Sequence, residues 1–373
     1  MVRPIELFMY ISLFFTNFLC TKCISPPPLV PALYIFGDSI FDSGNNNLLP
    51  TLAKANYPPY GHEFPGGIPT GRFTNGKTVV DFIADYLGLP YPPPRIASLS
   101  TLLRSKSYMG YNYASGSCGI LIETGKFIGE CLNLDEQMVM FEETVKKLSR
   151  SKFKTSTELS QHMAKSIFIF SVGNNDYINT YFGILNTRLQ YNPQQFAQLL
   201  TKKLSLKLKK LYDLGARKIV VFELGPIGCI PSIVRKAKLN DKCDENKNEI
   251  VKMFNTQLAV LLKSLTSTLQ DSHFIIGKAH GLGYDAVINP TKYGLSDSSN
   301  SCCDSWINGT LSCKPGRTPC SNPDEHYFWD GYHPTQATYS VIASHCINGS
   351  DVCVPMNIQQ LVQVLNSFAC MES

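Results

Sequence analysis

The sequence has no block of five or more like charges, and its formal net charge of +5 is spread over 373 residues. A nucleic-acid partner is therefore not expected. After residue 20 no apolar run is long enough to cross a bilayer. H-E-x-x-H and P-loop sequences are absent, which leaves metalloprotease and nucleotide triphosphatase readings without support. There is no G-x-S-x-G elbow, which argues against the ordinary α/β-hydrolase arrangement. Gly281-Leu282-Gly283-Tyr284-Asp285-Ala286 imitates a dinucleotide fingerprint. It lacks the N-terminal strand–turn–helix unit that would give it meaning, and Pro290 breaks the helix that follows. No internal repeat and no Gly/Ser-rich linker divides the chain, which reads as one domain over 26–373.

What the chain does have begins with an export signature over residues 1–25. Arg3 supplies the positive start, and Leu7 to Cys20 is uncharged and too short to span comfortably. Removal of this signal leaves no integral membrane segment, so the mature chain is expected to be secreted and extracellular. Thirteen cysteines fit that compartment. Cys118/Cys131 and Cys229/Cys243 each close a short local loop and are expected to be bonded. Pairing among Cys302, Cys303, Cys313, Cys320, Cys346, Cys353 and Cys370 is open. No C-x2-C spacing occurs between Cys302 and Cys320, so disulfides are favoured there over a metal site. Asn308-Gly309-Thr310 and Asn348-Gly349-Ser350 are glycosylation sequons, at Asn308 and Asn348.

Hydrophobic residues make up 44 % of the chain, enough for a substantial core. Short apolar runs predict strands at 32–36, 166–172, 218–224 and 273–277. Helical spacing predicts helices at 78–87, 134–148, 193–214, 245–269 and 335–345. Gly88 and Gly215 fit helix C′ positions. The lysines of the third helix (Lys202, Lys203, Lys207, Lys209, Lys210) read as a solvated face rather than a membrane-binding one. Strands alternating with crossover-length helices imply a mostly parallel sheet covered on both faces. Ligands of such sheets sit beyond the carboxyl ends of the strands.

Two candidate residues fall at those ends, and a third near the carboxyl terminus completes a set. Ser39 follows the first strand. Its hydroxyl needs an adjacent base to act as a nucleophile, and without one it is a turn or N-cap serine. His333 lies three residues after Asp330, a spacing that lets the carboxylate reach Nδ1 and turns Nε2 toward a serine. The alternative is a capping Asp330 with His333 packed beneath it. Asn175 follows Gly173 at the end of the second strand. Its amide is suited to donate to an oxyanion, or simply closes an Asx turn. In the small-residue loop 113–119, Gly116 is the chosen backbone oxyanion donor and Gly119 the second choice.

Phe36-Gly37-Asp38-Ser39-Ile40-Phe41-Asp42-Ser43-Gly44-Asn45-Asn46, Asn112-Tyr113-Ala114-Ser115-Gly116, Gly173-Asn174-Asn175-Asp176-Tyr177 and Asp330-Gly331-Tyr332-His333-Pro334 together resemble the plant GDSL esterase/lipases of the SGNH hydrolase superfamily. Gly225-Pro226-Ile227-Gly228-Cys229-Ile230-Pro231 resembles a segment of the plant branch. The likeness runs from about Ala32 to Asn366. It implies an α/β fold, a flavodoxin-like three-layer α/β/α sandwich, and hydrolysis of lipid or small-molecule carboxylic esters with no cofactor and no metal. It also implies Ser39, Asp330 and His333 as catalytic residues, with an oxyanion hole from the Ser39 N–H, the Gly116 N–H and the Asn175 side chain. One departure is that Gly116-Ser117-Cys118-Gly119 stands where many relatives have Gly-Gly-Ala-Gly. An acyltransferase built on the same residues, or a non-catalytic secreted binding protein, are the alternative functions.

Overall fold

A computed structural model describes residues 26–96, 109–183, 187–239, 242–309 and 311–364. The expected signal over 1–25 lies outside them, as does Cys370. Strands β1 (Leu33–Gly37), β2 (Ile167–Ser171), β3 (Lys218–Phe222) and β4 (His273–Gly277) pair in parallel in that order. Two short strands, β5 (Asp297–Ser301) and β6 (His326–Phe328), form a separate ribbon. The two-residue β7 (Cys353–Val354) closes the far edge of the main sheet, antiparallel to β4. On the other edge, the segment 109–115 runs beside β1. Leu33 N donates to Met109 O at 2.9 Å and Tyr113 N to Ile35 O at 2.8 Å.

The apolar runs form strands because both faces of the sheet are covered, so no polar alternation is required. Tyr34, Phe36, Phe168, Phe170, Ile219, Val221, Phe274 and Ile276 face one layer. It contains helices Leu134–Ser151, Pro193–Asp213 and Glu245–Thr268. Leu33, Ile35, Ile167, Ile169, Val220, Phe222 and Ile275 face the other, against helices Val79–Leu87, Gln336–Ile347 and Ile358–Gln363. This is a three-layer α/β/α sandwich. The expected helices start behind side-chain caps, for instance Asn133 accepting from the N–H groups of Asp135 and Glu136. Gly215, after the helix Pro193–Asp213, has φ +105°. Lys207 and Lys210 on that helix pair with Asp135 and Glu142 of its neighbour.

Five disulfides join the described residues. Cys118–Cys131 and Cys229–Cys243 match the expected local pairs. Cys302–Cys320 encloses Cys303–Cys313, and Cys346–Cys353 ties the closing helix to β7. Cys302, Cys320 and His326 cluster tightly enough to resemble a metal site, but the two sulfurs are bonded to each other and offer no thiolate. Among the described residues, no helix is long and apolar enough to cross a membrane.

The chain leaves β1, lays 109–115 along one side of it, then places β2 on the other side. That reversal makes the carboxyl end of β1 a topological switch point, where open α/β sheets hold ligands.

Candidate active site

Gly37 is the last residue of β1. Its φ is +152°, and a Cβ there would lie 2.2 Å from the Ser171 carbonyl oxygen, so only glycine lets β1 and β2 run this close. Gln137, on the covering helix, grips this strand end. Its Oε1 accepts from Gly37 N at 2.9 Å and its Nε2 donates to Gly37 O at 2.8 Å. Ser39 is thereby presented at the rim on a braced strand end.

His333 is 294 positions away in sequence, yet its Nε2 lies 2.7 Å from Ser39 Oγ. Its Nδ1 lies 2.9 Å from both oxygens of Asp330. A carboxylate only accepts, so Nδ1 carries the proton and Nε2 accepts from the serine. Asp330 is fully buried and His333 is 8 % exposed. The carboxylate is over-determined. Oδ1 also takes the N–H groups of Tyr332 and His333 at 2.8 Å, and Oδ2 takes the Tyr60 hydroxyl at 2.6 Å. Phe73 packs on the imidazole with ring centroids 5.0 Å apart. The structure thus joins Ser39 to the Asp330–His333 pair across almost the whole length of the domain.

Asn175 stands at the same rim, after β2. Its Nδ2 donates to Cys118 O at 3.0 Å and its Oδ1 accepts from Asn179 at 3.2 Å. One of its two N–H bonds is thereby fixed, and an amide NH2 has a second to offer.

Gly116 requires a correction. Its N–H donates to Asp42 Oδ2 at 3.0 Å, and Phe73 and Asn46 crowd its Cα side. A group already spent on a buried carboxylate is not an oxyanion donor. Gly119, the second choice, packs its Cα against the Asp176 carboxylate and is not among the residues that line the cavity. Ser117 is the residue of this loop that lines the cavity, in a left-handed conformation with φ +70°. Among the described residues, the N–H groups of Ser39 and Ser117 have no protein acceptor.

Three buried carboxylates hold the loops in register. Asp42 gathers the N–H groups of Gly44 at 2.7 Å, Asn45 at 2.8 Å and Gly116 at 3.0 Å. Asp176 gathers Ile120 N at 2.8 Å, Leu121 N at 2.9 Å and the Thr124 hydroxyl at 2.8 Å. Asp38, beside the serine, accepts from Ile40 N at 3.0 Å and Asn174 Nδ2 at 3.1 Å. Burial lifts Asp38 and Asp42 to about 6 and Asp176 to about 7, against the pull of these donors. Gln137, Tyr60, Asp42 and Asp176 were not singled out from the sequence. Tyr60 gave no local signal, since its partner lies 270 residues away.

The site opens into a cavity of about 950 Å³. Leu52, Phe127, Ile178, Phe182, Ile230 and Tyr332 are among its walls. The other candidate histidines lie elsewhere. His62 stacks on Trp329, His345 pairs with Asp351, and His326 meets Asn322 O.

A serine whose hydroxyl meets an aspartate-backed imidazole, at the switch point of an α/β/α sandwich, defines a serine hydrolase by class. Sequence comparison sharpens this. The GDSL-like Lipase/Acylhydrolase family matches residues 33–346. GDSL esterase/lipase 7 of Arabidopsis thaliana is 41 % identical over 343 residues, covering 90 % of this chain and 93 % of that protein. A second GDSL esterase/lipase of the same plant is 42 % identical over 343 residues, covering 89 % of this chain and 88 % of its own. The chain belongs to the GDSL esterase/lipase family and is a carboxylic ester hydrolase.

Proposed function

We propose that the mature chain, one hydrolase domain beginning near residue 26, is a secreted serine esterase or lipase acting through an acyl-enzyme on Ser39. The observation that carries this is the 2.7 Å contact between Ser39 Oγ and His333 Nε2, with Asp330 behind the ring. His333 takes the serine proton as Oγ attacks the ester carbonyl. The imidazolium then returns the proton to the departing alcohol. Water enters, loses its proton to the same nitrogen, and releases the acid. The oxyanion is held by the N–H groups of Ser39 and Ser117 and by the Asn175 amide. Losing one such donor typically costs roughly 3–4 kcal/mol of transition-state stabilisation.

The apolar walls and the volume of about 950 Å³ favour an ester with a lipid-like or otherwise bulky acyl part. Five disulfides support folding in an oxidising compartment. Asn348 is exposed at the end of the closing helix, which suits a glycan, and Asn308 falls in the short helical turn Trp306–Gly309. An apolar site that limits water also suits transfer to an alcohol acceptor, and product analysis with added glycerol separates transfer from hydrolysis.

The test is turnover of p-nitrophenyl esters of graded chain length by the wild type and by Ser39→Ala. Activity confined to the wild type is expected, rising with acyl length. Equal rates in the two proteins would sink the assignment.

A further inference from the structure

Tyr60 is fully buried, and its ring is held by Tyr57, Phe73 and Trp329 at centroid distances of 5.3, 6.3 and 6.5 Å. Its hydroxyl has two partners. It donates to Asp330 Oδ2 at 2.6 Å and accepts from the backbone N–H of Cys313 at 3.2 Å. Cys313 is pinned in turn by its disulfide to Cys303. The phenol is therefore aimed at the carboxylate by a covalently tied loop.

Asp330 has no exposed surface, so bulk water does not replace a missing donor. Without Tyr60, Oδ2 keeps only the His333 Nδ1–H, while Oδ1 keeps that contact and two backbone N–H groups. We propose that Tyr60 is a positioning residue of the Asp330–His333 pair: its hydroxyl fixes the plane of the carboxylate and draws off part of the charge presented to the imidazole. This rests on the esterase reading above. A short bond from a phenol to a carboxylate is charge-assisted and stronger than a neutral one. Burial and the Asp330 charge raise the Tyr60 phenol well above its ordinary range, so it stays a donor throughout the working pH range.

The consequence has a sign. Removing the donor leaves more negative charge on Asp330, which favours the imidazolium. The serine needs neutral imidazole, so the acid limb of the rate profile moves to higher pH. The other ionisable groups facing the pair are Asp38 toward His333, and Tyr57 and Tyr339 toward Asp330. The Tyr332 ring lies 6.1 Å from the imidazole. All of them remain in a Tyr60 variant.

Tyr60→Phe keeps the ring and its packing, so a merely space-filling role predicts no change in the profile. The experiment measures kcat/KM across pH 5–9, and follows the His333 ring titration by NMR. Both are expected to move up by roughly 0.5–1 pH unit, with KM for a short soluble ester nearly unchanged. Site-specific 3-fluorotyrosine at position 60 keeps every contact and sharpens the donor. It moves both readings down, and it covers the case in which Tyr60→Phe folds poorly. Superimposable ring titrations in the three proteins overturn the proposal even if all are active. A wild type without Ser39-dependent turnover overturns the esterase reading instead, and the ring titration still judges Tyr60.

Discussion

Asp42→Asn exchanges one oxygen for an amide nitrogen at the hub joining the serine loop to the oxyanion loop. In the wild type, Oδ1 accepts from Gly44 and Asn45 and Oδ2 from Gly116. The amide oxygen of Asn keeps the first two bonds, and its NH2 then faces the Gly116 N–H. A donor facing a donor forfeits a charge-assisted bond and leaves a buried N–H unpaired, together about 2–4 kcal/mol. An opposite contribution comes from burial, which raises the Asp42 carboxyl from 3.8 to about 6. Its charge therefore costs the fold about 3 kcal/mol at pH 8, and a neutral amide removes that cost. Global stability at pH 8 is thus expected to change by only about 1 kcal/mol. Catalysis has no such offset. Gly116 moves away from residue 42 and carries the Ser117 N–H with it. We expect kcat to fall about 10- to 100-fold with KM little changed, because the oxyanion exists only at and after the transition state. The pH dependence follows from the raised value. The wild-type carboxyl adds stability below about 4 and loses that advantage as pH rises through about 6. The variant should therefore lose more stability relative to wild type at pH 5 than at pH 8. Steady-state kinetics and thermal melts at both pH values check this, and a kcat within twofold of wild type at pH 8 refutes the reasoning.

Three further outcomes are expected. Gly37→Ala forces a Cβ to 2.2 Å from the Ser171 carbonyl, so soluble yield and activity should both collapse. Removing the Cys303–Cys313 bridge by Ser substitution opens a ten-residue separation and should cost about 3 kcal/mol, seen as a lower denaturation midpoint. Burial lowers His162 to about 4, helped by Lys152. A lowered folded value means stability that is full above about 6.5 and is lost as pH falls toward 4. His162→Gln should therefore show a shallower fall in Tm than wild type between pH 6.5 and 4, and parallel curves would count against a buried neutral imidazole.

Much of the fold was legible in the chain because β1 to β4 are buried on both faces and read as unbroken apolar runs. The predicted strand at 166–172 became Ile167–Ser171, and that at 273–277 matched β4. The edge segment 109–115 was not legible. It pairs with β1 on one side and meets only the short stretch 93–95 on the other, and it carries Asn112, whose side chain braces Phe41 O at 2.6 Å. Two residues of β7 are too few to leave a pattern. Among the cysteines, Cys118–Cys131 and Cys229–Cys243 were readable, whereas Cys346–Cys353 stayed open beside Cys370. The nested pairs were not readable, since adjacent Cys302 and Cys303 allow several closures of similar length.

The site divides in the same way. Ser39, Asn175 and the Asp330–His333 spacing are chemistry written in short segments. Whether a backbone N–H is free is decided by a distant side chain. Asp42 claims Gly116 across 74 positions, so the choice between Gly116 and Ser117 could not be made from the loop itself. Tyr60 illustrates the same limit, since only folding sets its hydroxyl against Asp330.

The central claim is that Ser39 is made nucleophilic by the imidazole it touches. The most direct test treats folded protein with a fluorophosphonate and maps the adduct by peptide mass spectrometry. The account predicts one stoichiometric adduct on the peptide containing Ser39, absent in Ser39→Ala and at least a hundredfold slower to form in His333→Ala, roughly the scale of general-base assistance. An adduct on a different serine, or an unmodified Ser39 in protein shown to be folded, would contradict it.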